Sequence, residues 1–102
     1  MKTISDKINM IEQLCEKYNV ADLYVFGSVL TDNFSAESDI DFLVDFRKIN
    51  LDQYADNYFD LKFSLESLFG RKVDLLEKKA IKNSFLLESI MGRKKHVYGH
   101  GN

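Results

Sequence analysis

A chain of 102 residues, 45% hydrophobic and 29% charged, forms one small globular domain rather than a disordered segment. Its net charge of −2 excludes a uniformly basic nucleic-acid binder, and no stretch approaches the roughly 20 apolar residues needed to span a bilayer. The charge is uneven: residues 1–69 hold six Lys and Arg against thirteen Asp and Glu, and residues 70–102 hold eight against three. An acidic body therefore carries a basic last third, which can bring cations near carboxylates or near an anionic ligand. The N-terminus lacks the apolar run of a secretion leader, and the single cysteine, Cys15, cannot form an internal disulfide, so a cytoplasmic location is expected.

In chain order, Ile4, Ile8, Ile11 and Cys15, with Leu14 beside them, predict an amphipathic helix over residues 5–18 that stops at Asn19. On that apolar side Cys15 reads as a small buried hydrophobe rather than a nucleophile. A short buried strand is expected over 23–26, ending at Gly27, and then a helical turn around 29–33. Residues 40–46 alternate: Ile40, Phe42, Val44 and Phe46 go to the core, while Asp39, Asp41, Leu43 and Asp45 take the opposite face. Asn50 and Gln53 predict a capping box opening a helix over 51–69, with Gly70 as its stop. A third strand over 72–76 is interrupted by Asp74, a last helix runs over 84–91 to Gly92, and Val97 and Tyr98 add an edge strand. The expected fold is α/β (α+β): a small mixed sheet with helices packed on one face, a domain over 1–98 and a flexible tail over 99–102.

Asp39 and Asp41 leave the same strand face with Cα atoms about 6.5–7 Å apart. Two neighbouring carboxylates repel unless a cation compensates, and a pair of Mg²⁺ ions is the usual device for in-line phosphoryl or nucleotidyl transfer. Gly27 permits a close backbone approach to phosphate, and Ser28 offers a hydroxyl and an amide. Asp74 in an apolar strand is either paired, metal-bound or turned to water at an edge. Taken singly, each feature also fits an ordinary turn or a solvated strand face. His96 and His100, without a Cys partner or third ligand, read as part of a solvated tail rather than a zinc site, and Lys94 and Lys95 likewise as solvated or as partner contacts.

Together, Gly27-Ser28, ten intervening residues and Asp39-Ile40-Asp41 resemble the Gly-Ser-x10-Asp-x-Asp signature of the DNA polymerase β nucleotidyltransferase superfamily. The blocks Tyr24-Val25-Phe26-Gly27-Ser28, Glu37-Ser38-Asp39-Ile40-Asp41-Phe42-Leu43-Val44 and Gly70-Arg71-Lys72-Val73-Asp74-Leu75 are similar to those of the minimal nucleotidyltransferases encoded beside HEPN toxins. The resemblance covers nearly the whole chain and implies a palm-like fold, ATP as substrate, and two Mg²⁺ ions on Asp39, Asp41 and Asp74. It also implies that Gly27 and Ser28 hold the leaving phosphates and that AMP passes to a tyrosine of a HEPN toxin, which makes the chain an antitoxin. One departure stands out: where relatives carry a basic residue after Gly-Ser, this chain has Val29-Leu30-Thr31-Asp32. Phosphate charge then falls to metal, to amides, or to Lys72, Lys78 or Lys79. The alternative is an antitoxin that neutralises its partner by occlusion. A small-molecule acceptor is disfavoured by the chain's length, and self-association stays open.

Overall fold

A computed structural model describes residues 2–99. The N-terminal helix comes in two pieces, α1 (Lys2–Ser5) and α2 (Ile8–Lys17), rather than the single helix over 5–18 that the apolar spacing predicts. Two turn residues, Asp6 and Lys7, separate them, with Lys7 at φ −112° and ψ 10°, yet Ile4, Ile11 and Cys15 all still reach the core. Asn19 turns the chain at φ 62°, the left-handed region that Asn tolerates, and its carbonyl accepts from Arg47 N at 2.7 Å. Strand β1 (Val20–Phe26) therefore begins three residues earlier than its apolar run.

A single 3₁₀ turn (Gly27–Leu30) links β1 to the loop before β2 (Ile40–Phe46), in place of the turn expected over 29–33. Helix α3 (Leu51–Phe69) crosses back to β3 (Val73–Glu77). The Asn50 side chain makes no capping bond, so the predicted box is not formed; its backbone carbonyl takes the amides of Gln53 and Tyr54 at 3.0 and 3.1 Å. Gly70, at φ 65°, closes the helix as expected. A 3₁₀ turn (Lys78–Ala80) then leads to α4 (Ser84–Gly92) and β4 (Lys95–Tyr98). Helix α4 is capped by the Asn83 side chain, which accepts from Phe85 N and Leu86 N; Gly92 is its last residue, not its stop.

The sheet order is β3-β2-β1-β4. The β1–β2 and β1–β4 pairs are antiparallel; β2 and β3 are parallel, as a helical crossover between them requires. Leu23, Val25, Phe42, Val44, Val73 and Leu75 pack against Ile11 and Cys15 of α2 and Leu61 and Leu65 of α3, forming the main core. Burial pushes the Cys15 thiol up to about 12, in keeping with a packing residue. On the other face Tyr24 and Leu43 are covered by Ile90 of α4, so Leu43, the one apolar residue among the strand's carboxylates, has its own small cluster. At Gly99, φ 108°, the chain runs close to the Ala21 carbonyl; residues 100–102, with His100, lie outside the described residues. No described helix is long and apolar enough to cross a membrane.

Candidate active site

Parallel pairing of β2 with β3 sets Asp41 directly beside Asp74, on strands about 4.8 Å apart. Asp39 sits one residue ahead of β2, exposed, and lines the same cleft as Asp74. On the other flank, β1 pairs Phe26 with Asp41, so the chain reaches Gly27 at the level of the carboxylates. Gly27 has φ 77°, and a Cβ there would collide with Asp41 Oδ2; the absence of a side chain is what lets this carboxylate lie against the turn. The Asp41 carboxyl is held above its usual range, first by burial and then by the charges of Asp74 and Asp39.

The residues after Ser28 are used structurally. Val29 is buried and Leu30 packs on the main core, so the position where a cation was missed anchors the turn instead. Thr31 closes it, giving both its amide and its hydroxyl to the Ser28 carbonyl at 2.9 Å. Of the three lysines considered for phosphate, Lys72 lines the cleft with Asp39 and Asp74. Lys79 is committed elsewhere, 3.3 Å from Asp45 Oδ1 and 3.4 Å from the Phe46 carbonyl. Asp45, the third carboxylate of the alternation, thus stands apart from the site, opposite Asp22 on β1. His96 is not solvated tail either: its Nε2 lies 3.1 Å from Asp22 Oδ1 and its ring 5.0 Å from Tyr24, while Lys94 sits over that same ring.

In the sequence Arg71 stands only as part of a motif; in the fold it clamps the loop that presents Asp39. Its Nη1 donates to the carbonyls of Ser35 and Ser38, both at 2.9 Å, and its guanidinium lies 4.5 Å over the Phe34 ring. A cation just past the glycine stop of a helix was the available signal. Losing even one charge-assisted bond of about 1.5 kcal/mol corresponds to roughly tenfold in local opening. Arg71→Met is therefore expected to speed amide hydrogen exchange across 34–39 at least about tenfold, with little change in the global unfolding midpoint and partial recovery in Arg71→Lys. Unchanged exchange in this loop would remove the clamp.

Comparison with known proteins places this geometry. The nucleotidyltransferase domain family matches residues 7–97. The chain belongs to that family. It is 39% identical over 94 residues to a predicted protein adenylyltransferase of Methanocaldococcus jannaschii, covering 88% of this chain and 93% of the relative. It is 35% identical over 72 residues to the protein adenylyltransferase MntA of Thermococcus cleftensis, covering 71% and 70%. Among solved structures, a minimal nucleotidyltransferase superposes with a TM-score of 0.77 at 26% identity, over 92% of each chain. The fold is shared with a toxin–antitoxin complex containing AMP-PNP, at TM-score 0.71 and 22% identity over 90% of this chain and 73% of that one. It is also shared with the complex of a tri-AMPylated Shewanella oneidensis HEPN toxin and its MNT antitoxin, at TM-score 0.66 and 20% identity over 93% and 71%. The α/β nucleotidyltransferase fold that the resemblance implies is thereby established.

The carboxylates suit a hard divalent cation by their chemistry. Asp41 carries repulsion from two neighbouring acids that a cation would relieve. Among the described residues no group of three His, Cys, Asp or Glu side chains closes into a ready metal cage.

Proposed function

We propose that this protein is an adenylyltransferase that moves AMP from ATP onto a hydroxyl, the acceptor being a tyrosine of a HEPN toxin for which the chain acts as antitoxin. The observation that carries this reading is the lodging of Asp41 against Gly27 while it stands in register with Asp74: the phosphate-type turn and the acid pair form one continuous surface. The 35–39% identity to protein adenylyltransferases and the fold shared with an antitoxin solved on an AMPylated HEPN toxin support it.

Mg²⁺ held by Asp39, Asp41 and Asp74 would neutralise phosphate charge and lower the pKa of the acceptor hydroxyl. Gly27 brings the turn against the Asp41 carboxylate, and its backbone, with the Ser28 hydroxyl and amide, would bind the β- and γ-phosphates beside it. Asp74, exposed at the outer strand, takes the proton of the incoming hydroxyl. The acceptor oxygen bonds to the α-phosphorus, the bond from that phosphorus to the bridging oxygen breaks, and pyrophosphate leaves on the Ser28 side. Positioning and charge neutralisation supply most of the acceleration in such transfers. The cytoplasm, where ATP and a partner toxin meet, is the compartment in which this chemistry would run.

The test uses ATP labelled on the α- or the γ-phosphate, with the purified chain and the HEPN protein of the same host. Label from the α-position is expected on a tyrosine of the partner and none from the γ-position. Tight partner binding without α-label transfer or saturable ATP binding would favour neutralisation by occlusion.

A further inference from the structure

The catalytic face opens on two sides, and only one of them is accounted for. Gly27 and Ser28 lie on the β1 side of the Asp41 strand. On the β3 side, the outer edge of the sheet, a cleft of about 610 Å³ is lined by Asp39, Lys72 and Asp74 at the sheet edge and by Lys62 and Phe63 of α3. In an in-line displacement the nucleophile enters opposite the leaving group. With the leaving phosphates on the β1 side, the acceptor enters from the β3 side, where this cleft lies.

The cleft is built for a peptide rather than for more phosphate. Phe63 is 58% exposed and Phe59 50%; their rings stack at 6.2 Å, leaving an aromatic wall with an open face. Past Phe59 the same strand edge borders a second hollow of about 470 Å³, lined by Tyr54, Tyr58, Leu75, Leu76 and Ile81. The other ionic groups of the cleft are engaged: Arg71 on the Ser35 and Ser38 carbonyls, Glu66 on the Val73 amide. Lys62 and Lys72 have no ion-pair partner among the described residues. On the strand, residues 72, 74 and 76 turn their backbone groups to β2, so those of Val73 and Leu75 point outward; Glu66 and the Tyr58 hydroxyl meet only the Val73 amide and the Leu75 carbonyl. The Val73 carbonyl and Leu75 amide between them form a pair that one residue of an extended chain can fill.

We propose that the cleft between α3 and the outer edge of β3 is the acceptor site, and that it takes an extended partner segment whose tyrosine stacks on Phe63 beside Asp74 and whose acidic neighbours meet Lys62 and Lys72. This rests on the reading of the chain as a tyrosine adenylyltransferase. The segment runs along β3 towards the apolar hollow, which receives a hydrophobic residue. Both lysines then serve the acceptor and not the triphosphate, which separates the two sources of negative charge that they could meet.

The test uses the full chain, Mg²⁺, α-labelled ATP and short single-tyrosine peptides flanked by either acidic or basic residues; AMP-PNP affinity is measured separately by calorimetry. Phe63→Ala and the double variant Lys62→Glu/Lys72→Glu alter side chains outside the core, and a thermal melt verifies folding. The acid-flanked peptide is expected to be labelled in preference to the basic one. Each variant is expected to raise its KM about tenfold, the scale of one lost aromatic or ionic contact, with AMP-PNP affinity within about twofold of the parent. The double variant is expected to reverse the peptide preference. Loss of AMP-PNP affinity in the lysine variant, unchanged peptide KM in both variants, or a parent protein that binds AMP-PNP yet labels neither peptide would overturn the assignment. Failure of the parent to bind AMP-PNP would instead bring down the nucleotidyl-transfer reading beneath it.

Discussion

Asp41→Asn is expected to abolish AMP transfer and, in metal-free buffer, to raise the melting temperature. The two effects have one cause. Asp41 is partly buried against Gly27 and faces Asp74 and Asp39, so its carboxyl sits above the usual range and its ionisation at neutral pH works against the folded state. The sign follows from linkage. Below about pH 4 the carboxyl is protonated in both states and carries no penalty; as pH rises through its folded-state value the penalty appears and stability is lost. Asparagine removes that charge, so the variant's melting-temperature advantage should be present at pH 7 and vanish in acid. The same charge is what would hold Mg²⁺. Its loss removes several kcal/mol of charge stabilisation and should lower transfer at least about 10³-fold. Asp39→Asn should lose activity to the same degree with a smaller thermal effect, because Asp39 is exposed ahead of the strand. Added Mg²⁺ should stabilise the parent and not the Asp41 variant. Full α-label transfer in either variant would falsify the carboxylate assignment.

How far the sequence reaches can be judged strand by strand. The period-two alternation of β2 is decisive: a strand with Ile40, Phe42, Val44 and Phe46 on one face has no other way to bury them, and the acids follow to the opposite face. Strand β1 is longer than its apolar run predicts because Val20, Ala21 and Asp22 lack a continuous apolar signal; the pairing of Val20 and Asp22 with β2 is tertiary. The α1–α2 break leaves the apolar spacing intact, so periodicity alone gave no warning. At the site, the resemblance to the DNA polymerase β superfamily groups Gly27, Ser28, Asp39 and Asp41, and the pairing of Phe26 with Asp41 is what sets Gly27 against the Asp41 carboxylate. Arg71 on the 35–38 carbonyls, and Phe63 beside Asp74, depend on how α3 and the loop lie across the edge of the sheet. His96 depends on the sheet in the same way: it stays exposed, as a residue near a chain end suggests, but pairing of β4 with β1 makes it strand rather than tail and carries it onto Asp22 and Tyr24.

One residue further along the strand the balance of effects inverts. Phe42 is fully buried, enclosed by both neighbouring strands, with its ring 6.0 Å from that of Phe69 on α3. Phe42→Ala removes its burial and leaves a cavity in a sheet that cannot collapse around it, at a cost of about 3–5 kcal/mol. Small domains hold only about 5–15 kcal/mol in total, and each kcal/mol is worth roughly 4–8 °C, so a fall of at least about 12 °C in melting temperature is expected. A loss below about 1 kcal/mol in urea denaturation would mean that Phe42 is not the core residue that the alternation makes it. Its carboxylates are untouched, so the folded fraction should still bind nucleotide, and saturating Mg²⁺ with AMP-PNP should recover part of the lost stability by mass action. Asp41→Asn should show the reverse: a more stable metal-free fold that the same ligand no longer stabilises. Because adjacent side chains leave opposite faces of β2, one substitution loosens the sheet with its chemistry in place, while the other removes the chemistry from a sounder sheet.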